Sequence, residues 1–283
     1  MLEEGTMAVH VVTDSTADIP HSLAEELGIS VVPLTVHFGD EVYRDGVDIE
    51  AESFLQKLIS SPVLPHTSQP SPDAFSQVYS RLLASGDAVV SIHVSAKLSG
   101  TLNSALVAQQ GLDSPERVTL VDSRWTSMAL GIIVLHAARA AQQGGTQEEV
   151  SRVARDAIGN MHLLFFCDTL EYLQKGGRIG KAQAFLGGLL EVKPLITIRD
   201  GEVFPVERVR TRGRALERLR QWGEEFTPIR EFCVLHAGSE ADALALHSHL
   251  AARFPQAISH FGHIGAVVAT HAGPGLVGLA VLT

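Results

Sequence analysis

Bulk positive charge is missing from this chain: 22 Lys and Arg stand against 32 Asp and Glu, a formal net charge of −10 over 283 residues. That balance excludes a general basic surface for nucleic acid, because a polyanion is repelled on average. Cysteine is scarce. Cys167 and Cys233 lie in separate apolar runs, HLLFFC and EFCVLH, with no CxxC spacing. A disulfide framework or a zinc site is therefore unsupported, and buried free thiols in strands are expected. Such thiols fit a reducing cytoplasm. No apolar stretch approaches the ~20 residues of a membrane span. The opening MLEEGTM is short and acidic, unlike a signal peptide, and Met7 offers an alternative start.

Several catalytic signatures are also missing. No G-x-S-x-G elbow and no H-E-x-x-H pair occurs, although the chain has 13 histidines. Gly273-Pro-Gly275-Leu-Val-Gly278 matches a dinucleotide fingerprint by letter only. The fingerprint must open a helix after a strand, whereas this segment runs into Leu-Ala-Val-Leu-Thr and the chain ends. Lys175-Gly-Gly-Arg-Ile-Gly180-Lys181 resembles a phosphate loop, but Lys175 stands where Walker A needs glycine and Ala182 where it needs Ser or Thr.

What remains is an ordinary globular mix, 45% apolar and 19% charged. At roughly 100–200 residues per domain, the length suggests two domains. Short apolar runs such as VHVVT alternate with helical segments, the pattern of a helix-covered parallel sheet. The predicted class is α/β, with two domains over 7–160 and 161–283, each built on a mainly parallel sheet. Asp200-Gly201 predicts a hairpin in the second. Ser30–Phe38 reads as one strand, and Ala266–Thr270 as another.

Ligands of open α/β sheets bind beyond the carboxyl ends of the strands. That directs attention to Asp14-Ser15-Thr16, Ser95–Thr101 and His271–Gly275. A further segment, His66-Thr67-Ser68-Gln69-Pro70-Ser71-Pro72, has Ser71 and Pro72 placed to start a helix, which leaves Thr67 and Ser68 free to meet an anion. Ser99 can cap the helix that follows it and can equally aim its hydroxyl at a ligand oxygen. His271 is flanked by glycines that allow close approach. Lys175, Arg178 and Lys181 form a small basic cluster.

Five segments, taken in order, resemble the DegV family of bacterial fatty-acid-binding proteins. They are Thr13-Asp-Ser-Thr-Ala-Asp18, Thr67-Ser-Gln-Pro-Ser71, Leu98-Ser-Gly-Thr101, Leu173-Gln-Lys-Gly-Gly-Arg178-Ile and Thr270-His-Ala-Gly-Pro-Gly275. The resemblance implies two α/β domains and one acyl chain, such as palmitate or oleate, as ligand rather than cofactor. It implies carboxylate contacts from Thr67, Ser99 and His271, with Ser68, Gly100 and Thr101 beside them. It also implies presentation of the fatty acid to a separate ATP-dependent kinase for acyl-phosphate formation, with Arg178 near the kinase-facing surface. Ala96 and Ala272 depart from the family pattern, where serine and valine are frequent.

The chemistry is coherent. At roughly 0.8 kcal/mol per buried CH2, about 15 methylenes contribute on the order of 12 kcal/mol before binding costs. The carboxylate needs hydrogen bonds in place of water. Two other classes compete: a serine hydrolase or acyltransferase using Ser99 with His271 and by location Asp14, and a sugar- or hydroxyketone-type kinase subunit, which would need a nucleotide site of its own.

Overall fold

The computed structural model describes residues 7–186 and 192–283, so most of the MLEEGTM segment lies outside the described residues. The first half contains β1 (Val9–Asp14), α1 (His21–Glu26), β2 (Ser30–Val32), β3 (Thr35–Phe38), β4 (Glu41–Arg44), α2 (Ala51–Ser60), β5 (His66–Ser68), α3 (Pro72–Leu83), β6 (Ala88–His93), α4 (Thr101–Gln110), β7 (Val118–Asp122), α5 (Ser127–Gln142) and α6 (Gln147–Gly159). The second contains β8 (Met161–Phe166), α7 (Glu171–Lys175), β9 (Lys193–Arg199), β10 (Glu202–Val209), α8 (Arg212–Glu224), β11 (Glu231–His236), α9 (Glu240–Arg253), β12 (Ile258–His263), α10 (Ala266–Ala272) and β13 (Val277–Leu282).

The α/β class holds, and the first half carries the expected parallel sheet, in the order β2-β1-β6-β7. The second sheet differs from expectation. Its order is β10-β9-β8-β13-β11-β12, and only β11 and β12 run parallel. Helix α9 supplies the crossover that a parallel pair requires. Elsewhere the chain turns back: Asp200 (φ 50°) and Gly201 (φ 81°) make the tight β9–β10 turn, and β13 inserts between β8 and β11.

Three local expectations also change. Ser30–Phe38 is broken at Pro33-Leu34 into β2 and β3, which join different sheets; proline lacks the N–H a continuous ladder would use. His66–Ser68, which the sequence marks only as the approach to a helix start, forms β5, paired antiparallel with β3. Ala266–Thr270 is helical, bounded by Gly265 and by Gly273 at φ 76°. A five-residue apolar run fits a buried helix as well as a strand, so periodicity could not decide.

Helix α5 lies between the two halves. Its run Met128–Leu135 is buried on every side, as expected of a helix with no solvent face. It packs on β1 and on β8, β11 and β13. One hydrophobic core accordingly runs through both halves, from Val11 and Val90 to Phe165 and Leu282. A buried ion cluster reinforces the seam. Glu231 on β11 receives Arg139 (2.7 Å) and His136 (2.9 Å) from α5, and His260 (2.6 Å) from β12. Burial pushes the Glu231 pKa up, but these bonds outweigh it and hold the carboxyl well below its usual range.

Candidate functional site

Between the halves lies a cavity with about 820 Å³ of empty space, open solvent at its mouth included. Its wall is mainly aliphatic. On β8, Leu163 and Phe165 share one face by strand alternation. Ile198 and Val203 form a cross-strand pair, and both line the cavity. Gly278 stands in register between Phe165 and Leu235. Its missing side chain leaves room in the floor, since a β-carbon there would lie 3.2 Å from that of Phe165. The third glycine of GPGLVG therefore serves the cavity wall rather than a nucleotide. Helix α10 contributes Val267, Val268, His271 and Ala272.

The polar groups in this wall are few. Thr67 lies on β5 opposite the buried Val36, so its side chain faces inward. Its Oγ1 is 2.9 Å from Nε2 of His271, a bond across 204 residues of sequence. Burial, and then the nearby Arg178, lower the His271 pKa to about 4, so the imidazole is neutral at physiological pH. Its Nδ1 is buried with no hydrogen-bond partner among the described residues. That edge packs on Gly176, where a β-carbon would lie only 2.2 Å from Nδ1.

Ser99 also lines the cavity. Its hydroxyl is 2.8 Å from Thr101 Oγ1 and accepts a longer bond from Thr101 N at 3.3 Å. The helix cap is Gly100 rather than Ser99, which leaves the Ser99 hydroxyl at the cavity. The loop is fixed from outside by Ser95, whose Oγ donates to Gly201 O at 2.8 Å. Arg178, expected at a partner-facing surface, is half-buried and lines the same cavity. It donates to Leu98 O (3.1 Å) and Gly176 O (2.8 Å). One guanidinium thus ties the Ser99 loop to the glycine that backs His271, and neither of these bonds goes to a carboxylate.

Of the predicted residues, Thr67, Ser99, His271 and Arg178 share this cavity. Ser68, Gly100 and Thr101 are not among its lining. Alternation along β5 turns Ser68 outward, where it bonds His37 at 2.9 Å. Gly100 gives room to the Gln69 side chain, which a β-carbon would meet at 2.1 Å. Thr101 is buried behind Ser99. Thr16, Thr126 and Ser127 line the cavity as well. Only Thr16 had a sequence signal, its place in the loop after β1.

A Ser99–His271–Asp14 relay is not assembled. His271 bonds Thr67, and Asp14 is committed to His93 Nδ1 (2.9 Å), Val94 N (3.0 Å) and Thr16 Oγ1 (2.6 Å). A Tyr79–Ser91–His93–Asp14 chain does have triad-like spacing, at 2.8, 2.7 and 2.9 Å. All four side chains are completely buried, so no substrate reaches Ser91. No group of three or more His, Cys, Asp or Glu side chains among the described residues is arranged to hold a metal ion. No described helix is long and apolar enough to cross a membrane.

Fold and site together define a class: an α/β protein with a mainly apolar internal cavity that meets a small set of hydroxyl, imidazole and guanidinium groups. The chain belongs to the DegV family. The family model, described as an uncharacterised protein of the DegV family, matches residues 8–283. A DegV domain-containing protein of Streptomyces coelicolor is 41% identical over 279 residues, covering 96% of this chain and 98% of that one. Protein DegV of Bacillus subtilis is 35% identical, covering 96% and 98%. Among solved structures, a Thermus thermophilus DegV family protein described for its fatty acid binding superposes with a TM-score of 0.90 at 39% identity, covering 98% of this chain and all of that one. DegV of Bacillus subtilis, described as a fatty acid binding protein, gives 0.88 at 34%, with coverage of 98% and 100%. A stearic acid-binding protein from Eubacterium ventriosum gives 0.88 at 26%, with 97% and 98%.

Proposed function

We propose that this chain binds one long-chain fatty acid, with the acyl tail in the cavity and the carboxylate at Thr67, Ser99 and His271, and that it presents this headgroup to a separate ATP-dependent kinase. The observation that carries the reading is the contrast within a single cavity: a long aliphatic wall, and a sparse polar set that contains no carboxylate. An apolar tail gains free energy by leaving water. A carboxylate needs donors: with His271 Nε2–H donating to Thr67 Oγ1, and Thr101 donating to Ser99, both the Thr67 and Ser99 hydroxyls stay free to donate to it. Arg178 adds positive potential at the same place, in addition to the partner contact expected of it, without being held by an acidic residue in either of its hydrogen bonds.

A carrier role for the headgroup follows from the donors. Neutral hydroxyls hold a carboxylate without neutralising the oxygen that attacks a phosphoryl group. The two loops that resembled nucleotide motifs serve other ends: Gly273 and Gly275 make room for Tyr172 and Asp168, and Gly176 and Gly180 make room for His271 and the Val203 backbone. We therefore assign ATP to a partner protein.

The test is native extraction followed by lipid mass spectrometry, then titration of palmitate and oleate into delipidated protein. One fatty acid per chain is expected. Thr67→Ala and Ser99→Ala should each weaken binding by about 1–3 kcal/mol. A co-purified polar metabolite, or both variants binding with unchanged affinity, would reject the reading. Acyl phosphate should form only when a fatty-acid kinase and ATP are both added; formation by the chain with ATP alone would reject the carrier assignment.

A further inference from the structure

Helix α10 is held at both ends by the first half of the chain. At its C-terminal end, His271 bonds Thr67. At its N-terminal end, two aspartates from distant loops receive its backbone. Asp18 Oδ1 accepts from Gly265 N at 3.0 Å, and Asp45 Oδ1 accepts from Ala266 N at 2.9 Å. Ser127 donates to the other Asp18 oxygen. These bonds span 247 and 221 residues of sequence. At about 1.5 Å per residue, His271 stands roughly 7–8 Å along the axis from the clamped end. Since α10 also carries Val267, Val268 and Ala272 into the wall, any shift of the clamped end moves both headgroup donor and tail wall.

The aspartates are a costly way to hold a helix. Asp45 is 5% exposed, and its Oδ2 is buried with no partner at hydrogen-bond geometry among the described residues, the Ser15 hydroxyl acting on the carboxyl. Asp14, also fully buried, lies close enough to act on both charges. Burial pushes Asp45 up to about 6 and Asp18 well above its ordinary value. A raised folded pKa means that this contribution favours the fold at low pH and is lost as pH rises through about 6. Among the described residues their hydrogen bonds come from backbone N–H groups and the Ser127 hydroxyl, none from a cation. The arrangement sacrifices some stability while fixing one short helix.

We propose that Asp18 and Asp45 are positioning residues for the fatty-acid site: their carboxylates clamp residues 265 and 266, and so set His271 against Thr67. The inference rests on the carrier reading for its ligand, but its geometry can be read without one. The experiment follows the His271 ring signals by NMR in ligand-free protein, assigned with His271→Gln, alongside palmitate titration. Asp45→Ala removes the acceptor, whereas Asp45→Asn keeps an oxygen for Ala266 N. The Ala variant should shift the His271 signals toward those of Thr67→Ala and weaken palmitate about tenfold; Asn should restore both.

Gly265→Ala is an independent variant should Asp45→Ala fail to fold. Its backbone (φ −64°, ψ 166°) accepts alanine, and the new β-carbon would lie 2.6 Å from Asp18 Oδ1 and 3.3 Å from Asp45 Oδ1, prying the clamp open. The same shift of His271 is expected. A purely structural role would lower the melting temperature and leave the His271 signals in place; that result, or failure of Asp45→Asn to restore them, overturns the proposal. If wild-type protein binds no palmitate while the His271 shifts appear, the carrier reading fails and the clamp stands.

Discussion

Gly176→Ala tests the headgroup geometry with one methyl group. Gly176 sits at φ −75° and ψ −5° at the end of α7, a conformation that alanine adopts freely. Replacing glycine there gains about 0.4–1 kcal/mol through the unfolded chain. The added β-carbon, however, would lie 2.2 Å from His271 Nδ1, 3.0 Å from His271 Cε1 and 3.0 Å from the Tyr172 carbonyl. Ordinary contact begins near 3.4 Å, so the ring must retreat by about 1.2 Å. The Thr67–His271 bond is 2.9 Å long. A retreat of that size either stretches it beyond hydrogen-bond range or drives the ring into the threonine. Loss of one such bond at the headgroup costs about 1–2 kcal/mol, a factor of roughly 5–30 in Kd. Calorimetric titration of palmitate measures the affinity, and thermal melting the stability. The expected pattern is weaker binding with a lower melting temperature, because overpacking costs about 1–3 kcal/mol against the smaller entropy gain. Wild-type affinity in Gly176→Ala would refute the role given to the His271 position.

Other consequences follow from the same structure. Gly278→Val fills the cavity floor between Phe165 and Leu235 and should weaken stearate more than laurate; equal losses for both would place the tail elsewhere. Glu231 carries a depressed folded pKa, so its stabilisation is present above its ordinary 4.5 and is lost as pH falls below it. Melting temperature should fall with acid below that value. Glu231→Gln should flatten this dependence and cost roughly 3–5 kcal/mol at neutral pH, because it breaks a buried charge cluster; a wild-type pH profile in the variant would discount the cluster. Burial raises the Cys167 thiol to about 12 and pushes Cys233 well above its ordinary value. Neither thiol should react with a disulfide reagent in native protein, and both should react in denaturant.

The residues proposed to hold the headgroup were legible in the sequence because each lies in a short, chemically unusual segment. Thr67 precedes a serine-proline helix start, Ser99 a Gly-Thr helix start, and His271 a Gly-Pro-Gly turn. Local chemistry also marked the Asp200-Gly201 hairpin. Alternation and apolar content marked the α/β class and the first, parallel sheet. All of these depend on neighbours within a few positions.

What the sequence alone left open depends on partners hundreds of residues away. The antiparallel build of the second sheet comes from β13 entering between β8 and β11, which no local pattern encodes. The first N–H groups at the start of α10 find their acceptors on aspartates 247 and 221 residues distant. Ser68 faces away from the cavity because β5 pairs with β3, and pairing determines which side of a strand faces inward. Arg178 lines the cavity because two carbonyls from separate loops hold it there. Sequence determined which groups are available for chemistry; tertiary packing decided which of them face one another, because side-chain direction is set by long-range pairing and burial.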